Sequence, residues 1–368
     1  MSATGETPKP ADAAVVVSET TSVGRSGPFR LRRLASWEAL LALVLLGLVG
    51  LGAATSPKVF LTPGNFSNLT AAVMEVAIMA LPMTLIIIVG DIDLSVESML
   101  GLASAVLGFL WAEGVPLEVG IPVVLLMGAA GGLFNGLLVA RGGLPSLVVT
   151  LGTLALFRGL ALVVLGPRGI SKFPEAFTDF GFGTVPGTPI PWPLVVFTVI
   201  AVVLGVVLHR TWIGRQVFAA GKNKDAARYS GVRVQRMRIA LFVLSGTIAA
   251  FAGVILTARF ASARADAGQG MTLTVVTIVL LGGVSINGGR GTILGVVLAA
   301  FTLAVLGNVL RLANVSAELQ SIATGLLLIL SVVIPSVARQ VSSAIGRARR
   351  DRRPPVATAE PGEVQSLI

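Results

Sequence analysis

Residues 210–238 have the sequence RTWIGRQVFAAGKNKDAARYSGVRVQRMR, which is the one long polar interval between apolar segments of this chain. It contains a single acid, Asp225, and its basic residues are Arg210, Arg215, Lys222, Lys224, Arg228, Arg233, Arg236 and Arg238. Positively charged loops are retained on the cytoplasmic side of a membrane during insertion. We therefore expect this interval, which we call the basic loop, to face the cytoplasm.

The middle of the basic loop predicts a short helix that begins at Lys224. Asn223 is suited to cap its first turn, Asp225 favours that turn, and Gly231 can end the helix in the left-handed conformation. A helix this short is unstable alone in water, so we expect it to lie in a groove of a partner. A loop that only fixes topology is the alternative. The residues small enough to enter such a groove are Ala226, Ala227, Ser230 and Gly231, whereas we expect Lys224 to be exposed.

The overall composition indicates a multi-spanning membrane protein. Hydrophobic residues make up 54% of the 368 residues, charged residues 12%, and the mean hydropathy is +0.88. The chain has no cysteine and one histidine, which excludes disulfides, thiol catalysis and histidine-rich metal sites. We therefore expect neither a metal nor a cofactor on this chain. The net charge of +10 falls mainly in segments predicted to be cytoplasmic, so we expect no nucleic-acid partner.

Apolar runs predict an all-α membrane domain of about ten transmembrane helices with both termini in the cytoplasm. The segments are 37–54, 69–89, 94–111, 117–140, 144–165, 190–209, 238–258, 271–286, 291–312 and 317–337. With this threading most basic residues are cytoplasmic, and those outside are Lys58, Arg168, Lys172, Arg259, Arg264 and Arg311. Residues 1–36 predict a disordered cytoplasmic tail, residues 37–338 the membrane domain, and residues 339–368 a basic cytoplasmic tail.

A second informative stretch, VGDIDLSVESML at residues 89–100, places three acids beside apolar runs. Its candidate polar groups are Asp91, Asp93, Ser95, Glu97 and Ser98. Charged groups at membrane depth usually face a cavity or a partner, and Gly90 interrupts the helical pattern. We expect an unwound segment whose carboxylates can accept hydrogen bonds from sugar hydroxyls. A short cytoplasmic turn with solvated acids, in which Asp93 caps the next helix, is the alternative.

Other polar positions inside the apolar segments are weaker candidates for a transport path. Residues 131–159 contain Asn135, Thr150 and Thr153, and glycines that favour close helix packing, namely Gly131, Gly132, Gly136 and Gly152. Residues 280–300 contain Ser285 and Asn287 among dense glycines, which indicates a broken helix along a cavity or a tight turn. Glu75 lies alone in the second segment, where it either couples to a proton or pairs with a neighbouring helix.

The external loop 166–191 is rich in Gly and Pro and contains four phenylalanines, Phe173, Phe177, Phe180 and Phe182. It is too long for a minimal turn. Two interpretations stay open from the sequence: an aromatic anchor at the membrane interface, or a docking surface for a soluble protein that delivers substrate.

Several of these stretches resemble the ribose-type permeases of ABC importers over residues 65–335. The similar stretches are AAGKNKDAARYSGVRV (219–234), IDLSVES (92–98), GGLFNGLLVARGGLPSLVVTLGTLALFRG (131–159) and LLGGVSINGGRGTILGVVLAA (280–300). The family usually has glycine where this chain has Asp91 and Glu97, and two glycines before Asn223. Residues 312–324 resemble the rhamnose or autoinducer-2 branch.

The resemblance implies a type II-like ABC importer permease in the bacterial inner membrane, importing a monosaccharide or similar small polyol. It implies an ABC ATPase partner that binds the ATP, a periplasmic binding protein and a second permease subunit, surrounded by membrane lipid. It places the ATPase contact on Gly221, Asn223, Asp225, Ala226, Ala227, Arg228, Ser230 and Gly231. It places the substrate path near Asp91, Asp93, Ser95, Glu97, Ser98, Asn135, Thr150, Thr153, Ser285 and Asn287.

The competing hypothesis from the residues is a self-sufficient secondary transporter or channel. It would use Glu75, Asp91, Asp93 and Glu97 as ion-coupling groups. The chain has no Walker A sequence, so under either hypothesis it is not itself an ATPase. The basic loop discriminates the two, because a coupling helix has no purpose in a secondary carrier. An intramembrane enzyme is disfavoured by the absence of cysteine and by the single, arginine-flanked histidine.

Overall fold

Almost all regular structure in the described residues is helical. The computed structural model describes residues 29–327 together with 329, 330 and 333, and side chains from residue 37 onward. The elements are α1 (Phe29–Thr55), α2 (Pro57–Phe60), α3 (Pro63–Ala71), α4 (Met74–Ile88), α5 (Val96–Ala112), α6 (Leu117–Ala140), α7 (Ser146–Leu165), β1 (Ile170–Ser171), α8 (Glu175–Phe182), α9 (Trp192–Arg210), α10 (Trp212–Lys222), α11 (Lys224–Tyr229), α12 (Val234–Phe260), β2 (Ser262–Ala263), α13 (Met271–Leu281) and α14 (Ile293–Leu312). Residues 317–327 are also helical.

The predicted tails fall mostly outside this range. Residues 1–28 and the whole of the predicted C-terminal tail, 339–368, lie outside the described residues, as does part of the tenth predicted segment. Helix α1 begins at Phe29, which belongs to the stretch predicted to be an N-terminal tail.

The number of membrane spans differs from the prediction. Within the described residues, six helices are long and apolar enough to cross a membrane: α1, α6, α7, α9, α12 and α14. Helices α3 and α4 are bent by 47° and make a seventh if they form one span. Helices α5 and α13 are apolar but shorter, because each begins only after a non-helical segment. A mostly helical, polytopic membrane protein is thus confirmed, and the count of ten is not.

Helices α4 and α12 form the centre of the molecule. All 15 residues of α4 are buried, and α12 packs against α4, α5 and α6. Helices α6 and α12 cross closely because glycines of α6 have no side chain at the contact. A Cβ on Gly132 would collide with the carbonyl of Phe242, and one on Gly136 would lie 2.9 Å from the Ile239 Cα. This confirms that Gly132 and Gly136 pack helices, as small residues do in membranes. Gly152 has open space around its Cα among the described residues.

Two ion pairs mark the ends of the buried part of α12. At one end the Arg259 Nε donates to the Glu75 Oε1 at 2.7 Å, and at the other the Arg238 Nε donates to the Asp91 Oδ2 at 2.6 Å. The two arginines are about 31 Å apart along a helix that rises 1.5 Å per residue. This matches the hydrocarbon thickness of a bilayer, about 30 Å. Following the predicted topology, we call the Glu75–Arg259 pair the outer pair and the Asp91–Arg238 pair the inner pair. The outer pair bears out the pairing interpretation of Glu75.

The loop 166–191 is folded against the helices rather than extended at an interface. Strand β1 pairs antiparallel with β2, and α8 packs against α12. The Trp111 ring stacks on Phe173 at 6.0 Å between centroids, and Phe173 lies 5.4 Å from Phe177. Phe173 and Phe177 are buried, so they are not membrane anchors. Phe182, in contrast, is 62% exposed.

Candidate translocation and coupling sites

The acid-rich stretch is an unwound segment between α4 and α5, as predicted. Gly90 has a φ of +83°, which a residue with a side chain rarely adopts, and helix resumes at Val96. The three carboxylates are all buried: Asp91 is 5%, Asp93 1% and Glu97 8% exposed. The alternative of a turn with solvated acids is therefore wrong.

Asp93 joins three helices through hydroxyl groups. Its Oδ1 accepts from the Ser95 backbone N–H at 3.0 Å and from the Ser95 Oγ at 2.6 Å, and its Oδ2 accepts from the Ser245 Oγ on α12 at 2.8 Å. The Asn135 Nδ2 on α6 donates to the Ser95 Oγ at 2.9 Å, and the Ser98 Oγ donates to the Ser95 carbonyl. Ser245 lies seven residues, about 10 Å along α12, beyond Arg238, so Asp93 and Asp91 bond to different turns of α12.

Asp91 lies at the end of the helices nearest the basic loop and does not belong to that cluster. Arg238 grips its carboxylate with two hydrogen bonds, the second from Nη2 to Oδ1 at 2.7 Å, while Arg238 Nη1 donates to the Val139 carbonyl. The Lys224 Nζ lies 3.5 Å from the same Oδ1. Asp91 therefore ties the unwound segment to α11 and α12, and through Arg238 to the end of α6, all at the basic-loop end of the molecule.

Glu97 holds the start of α13. Its Oε2 accepts from the Thr272 backbone N–H at 2.9 Å, a group that no earlier turn of α13 can bond. Its Oε1 lies 3.6 Å from the Arg158 Nη2 of α7, and Arg158 Nη1 donates to the Ala265 carbonyl. A negative charge at a helix N-terminus also complements the helix dipole. Glu97 thus links α5, α7 and α13 inside the membrane.

The remaining path candidates divide between two places. The Thr150 Oγ1 donates to the Ser146 carbonyl at 2.8 Å and lies 3.4 Å from the Ile92 carbonyl, and Thr153 is buried one turn further along α7. Ser285 and Asn287, in contrast, lie in the turn between α13 and α14, where the Gly289 N–H donates to the Ile88 carbonyl. The glycine-dense stretch is therefore a tight turn, and it packs against the end of α4.

The basic loop consists of α10, α11 and the start of α12. The Asn223 Oδ1 accepts from the backbone N–H groups of Asp225 and Ala226 at 3.0 and 2.9 Å, and Gly231 has a φ of +84°. The predicted helix and its two ends are therefore confirmed. Gly221 packs against Ile88, so close that a Cβ would collide with the Ile88 carbonyl.

One expectation about the basic loop is wrong. Ala227 is 3% exposed because it packs inside this chain, so its side chain does not face a partner. The Lys224 side chain, expected to be exposed, is 41% exposed, and its Nζ lies 3.5 Å from an Asp91 carboxylate oxygen. Tyr229, the one tyrosine of the chain, is 92% exposed at the end of α11. Asp225, Ala226, Arg228 and Ser230 are also exposed.

The sequence interpretation missed the partners of the acids. Arg238, Ser245 and Thr272 come from distant parts of the chain, and no local pattern pairs them with residues 91–97. One signal was available in the sequence. A charged group in a membrane costs free energy, so an arginine beside an apolar span predicts a carboxylate partner. Among the residues that the structure describes, no three His, Asp or Glu side chains come together as metal ligands do.

Comparisons with known proteins agree with this architecture. The family model described as the permease component of branched-chain amino acid transport systems matches residues 65–332. The chain belongs to this permease family. The permease is 40% identical over 309 residues to the autoinducer 2 import system permease protein LsrD of Yersinia enterocolitica, covering 82% of this chain and 92% of the relative. It is 38% identical over 315 residues to LsrD of Yersinia pseudotuberculosis, covering 84% and 93%. No solved structure matches it.

Membership decides between the two functional hypotheses. The permease is a translocation-path subunit of an ABC importer of the ribose type and is not itself an enzyme. The hypothesis of a self-sufficient carrier is wrong. The acids that it invoked as ion-coupling groups have protein partners: Glu75 pairs with Arg259, and Asp91 with Arg238.

Proposed function

We propose that the permease imports a monosaccharide or similar small polyol across the bacterial inner membrane, with both termini in the cytoplasm. The observation that carries this proposal is the 40% identity to an autoinducer 2 import permease, which extends over 92% of that relative's length. Autoinducer 2 is therefore the first substrate to test. The arginines and lysines of the basic loop support the orientation, because such residues are retained in the cytoplasm.

On the cytoplasmic side, we propose that α11 docks on an ABC ATPase that binds and hydrolyses the ATP. The contact surface consists of Asp225, Ala226, Arg228, Tyr229 and Ser230, while Gly221, Asn223, Ala227 and Gly231 shape the helix from within. An exposed tyrosine on a short helix is a typical interface anchor, since it offers a large contact area at little entropic cost. The pairs that Asp91 makes with Lys224 of α11 and with Arg238 of α12 support a mechanical link from α11 into the membrane domain.

On the external side, we propose that α8 and its loop receive a periplasmic binding protein. Phe182 is an exposed aromatic residue on this surface, and Phe173 and Phe177 anchor the surface to the helices. We further propose that the transporter contains a second permease subunit, as a homodimer or heterodimer. The buried Asp93 cluster, with Thr150 and Thr153, would support the wall of the path, whereas Ser285 and Asn287 would lie near its cytoplasmic exit.

Reconstitution of the permease with its ATPase and binding protein in proteoliposomes tests this function. Autoinducer 2 should enter the vesicles only when ATP and binding protein are both present. Uptake without an ATPase would contradict the proposal. A paired substitution tests the two docking surfaces: Tyr229→Ala should release the ATPase during purification, whereas Phe182→Ala should retain it and lose stimulation of ATP hydrolysis by the binding protein. Loss of ATPase retention in both variants would indicate misfolding instead.

A further inference from the structure

The segment between α12 and α13 descends into the membrane instead of staying outside. It runs along α5 from Ser104 toward Glu97. The Arg264 N–H donates to the Ser104 Oγ, and a Cβ on Gly101 would lie 2.8 Å from the Ala267 carbonyl. The Thr272 N–H then donates to Glu97. From Ser104 to Glu97 this descent covers about 10 Å along α5. We call residues 264–270 the descending segment.

The depth of the descending segment is fixed by α12. Thr257 donates to the same Ser104 Oγ that accepts from Arg264, and it lies two residues before Arg259 of the outer pair. The segment therefore starts near the outer boundary and ends at α13, whose 11 residues then lead to the cytoplasmic turn. Since α13 spans only about 16 Å, its first residue lies near the middle of a hydrocarbon layer about 30 Å thick.

The descending segment is polar, non-helical and open on one side. The side chains of Arg264 and Asp266 are 61% and 52% exposed and pair at 2.8 Å, and Gln269 is also exposed. A Cβ added to Gly270 would meet no atom of the described residues within 4 Å. Irregular backbone at membrane depth is tolerated only where protein or water covers it, so this open side does not face lipid.

We propose that the descending segment, with Asp266 and Gln269, forms a water-exposed wall of the translocation path and contacts the hydroxyl groups of a small polyol. The ligand class, a small polyol, rests on the proposed function, whereas the water exposure of the segment does not. Carboxylate and amide groups supply both acceptors and donors to a polyol. Glu97 contributes as a positioning residue, because it fixes the first turn of α13, where the wall ends.

Single-cysteine labelling tests the wall, because the natural chain has no cysteine. Gln269→Cys is compared with Leu126→Cys, which is 70% exposed on α6. The two lie at a similar depth, because Gly128 of α6 packs on Gly246 and Ala250 of α12, and Gly253 of α12 packs on Leu100 of α5. Thr188→Cys, in the external loop, is the positive control. The assembled transporter is treated with a charged, membrane-impermeant methanethiosulfonate in spheroplasts and in inverted vesicles.

We expect Gln269→Cys to react from at least one side, roughly tenfold faster than Leu126→Cys, because only a water-exposed thiol ionises. Equal, slow reaction of both thiols from both sides would overturn the proposal. Disulfide cross-linking of two Gln269→Cys copies, with protection from the reagent, would also overturn it and assign the segment to a subunit interface. If Gln269→Cys fails to assemble, Asp266→Cys carries the same test. Labelling without any uptake of autoinducer 2 would instead contradict the proposed substrate and leave the water-exposed wall intact.

Discussion

Removal of the Asp91 carboxylate should destabilise the permease far more than removal of its weaker partner, Lys224. Asp91 and Arg238 have side chains that are only 6% and 15% exposed, and they share hydrogen bonds of 2.6 and 2.7 Å. Breaking a buried ion pair by deleting one partner costs about 3 to 5 kcal/mol. We expect the lower end, about 3 kcal/mol, because Arg238 keeps its bond to the Val139 carbonyl. The Lys224 pair is longer and more exposed, so Lys224→Ala should cost less than about 1 kcal/mol.

A double-mutant cycle in mixed micelles measures the pairing directly. The free energy of unfolding is determined for the native chain, Asp91→Ala, Arg238→Ala and the double variant. Partners in contact should show a coupling energy of about 2 kcal/mol, within the usual range of 0.5 to 3 kcal/mol. Asp91→Ala with Lys224→Ala provides the matched control and should give a smaller coupling. Additive effects of Asp91→Ala and Arg238→Ala, within about 0.5 kcal/mol, would refute the bidentate geometry.

Three further perturbations separate packing from transport. Asp93→Asn should insert normally and reduce uptake in proteoliposomes, because the amide cannot accept from both Ser95 and Ser245 as the carboxylate does; unchanged uptake would contradict a supporting role. Gly132→Ala should lower the free energy of unfolding by about 1 to 3 kcal/mol through overpacking. Gly159→Ala should not, because a Cβ there would meet no atom of the described residues within 4 Å. Equal unfolding free energies of the two variants would contradict the α6–α12 contact. Ala227→Trp should destabilise the isolated permease and also reduce its retention of the ATPase, because Ala227 is buried in this chain. A variant as stable as the native chain would show that residue 227 faces outward.

The parts of the fold that could be predicted from sequence are those set by local chemistry. The helix at Lys224 was predictable because its cap, Asn223, and its terminating glycine, Gly231, lie within the same few residues. The apolar helices were predictable because length and hydropathy alone decide them. The unwinding after α4 was also predictable, since Gly90 and the alternating acids interrupt a helical pattern.

Residues paired across the chain were not predictable in this way. Asp91 was grouped with the path candidates as one of three neighbouring acids, but it bonds to Arg238, two turns along α12 from the Ser245 partner of Asp93. Its partner, Arg238, is 147 positions away. Glu97 is joined to Thr272 at a separation of 175. Only the packing of α5 against α12 and α13 brings these groups together.

The descending segment shows the same limit for topology. Arg259 and Arg264 were both assigned to the outside, since a basic residue after an apolar run normally ends the span. Arg259 lies in the last turn of α12 and pairs with Glu75, and the chain beyond Arg264 runs back along α5 toward Glu97. The short length of α13 follows from this descent, because the apolar run begins near the middle of the membrane.

The polar groups between the outer and inner pairs fall into two kinds that suit two roles. Asp93 is 1% exposed and accepts from Ser95 and Ser245, so its bonding capacity is used in holding α5 and α12 together. A group satisfied in this way gains nothing from a passing substrate unless the helices separate. Gln269 lies at comparable depth with its side chain exposed, and an exposed polar group there costs free energy unless water or substrate meets it. We therefore expect substrate to contact the descending segment first, and the Asp93 cluster only if transport opens the α5–α12 contact.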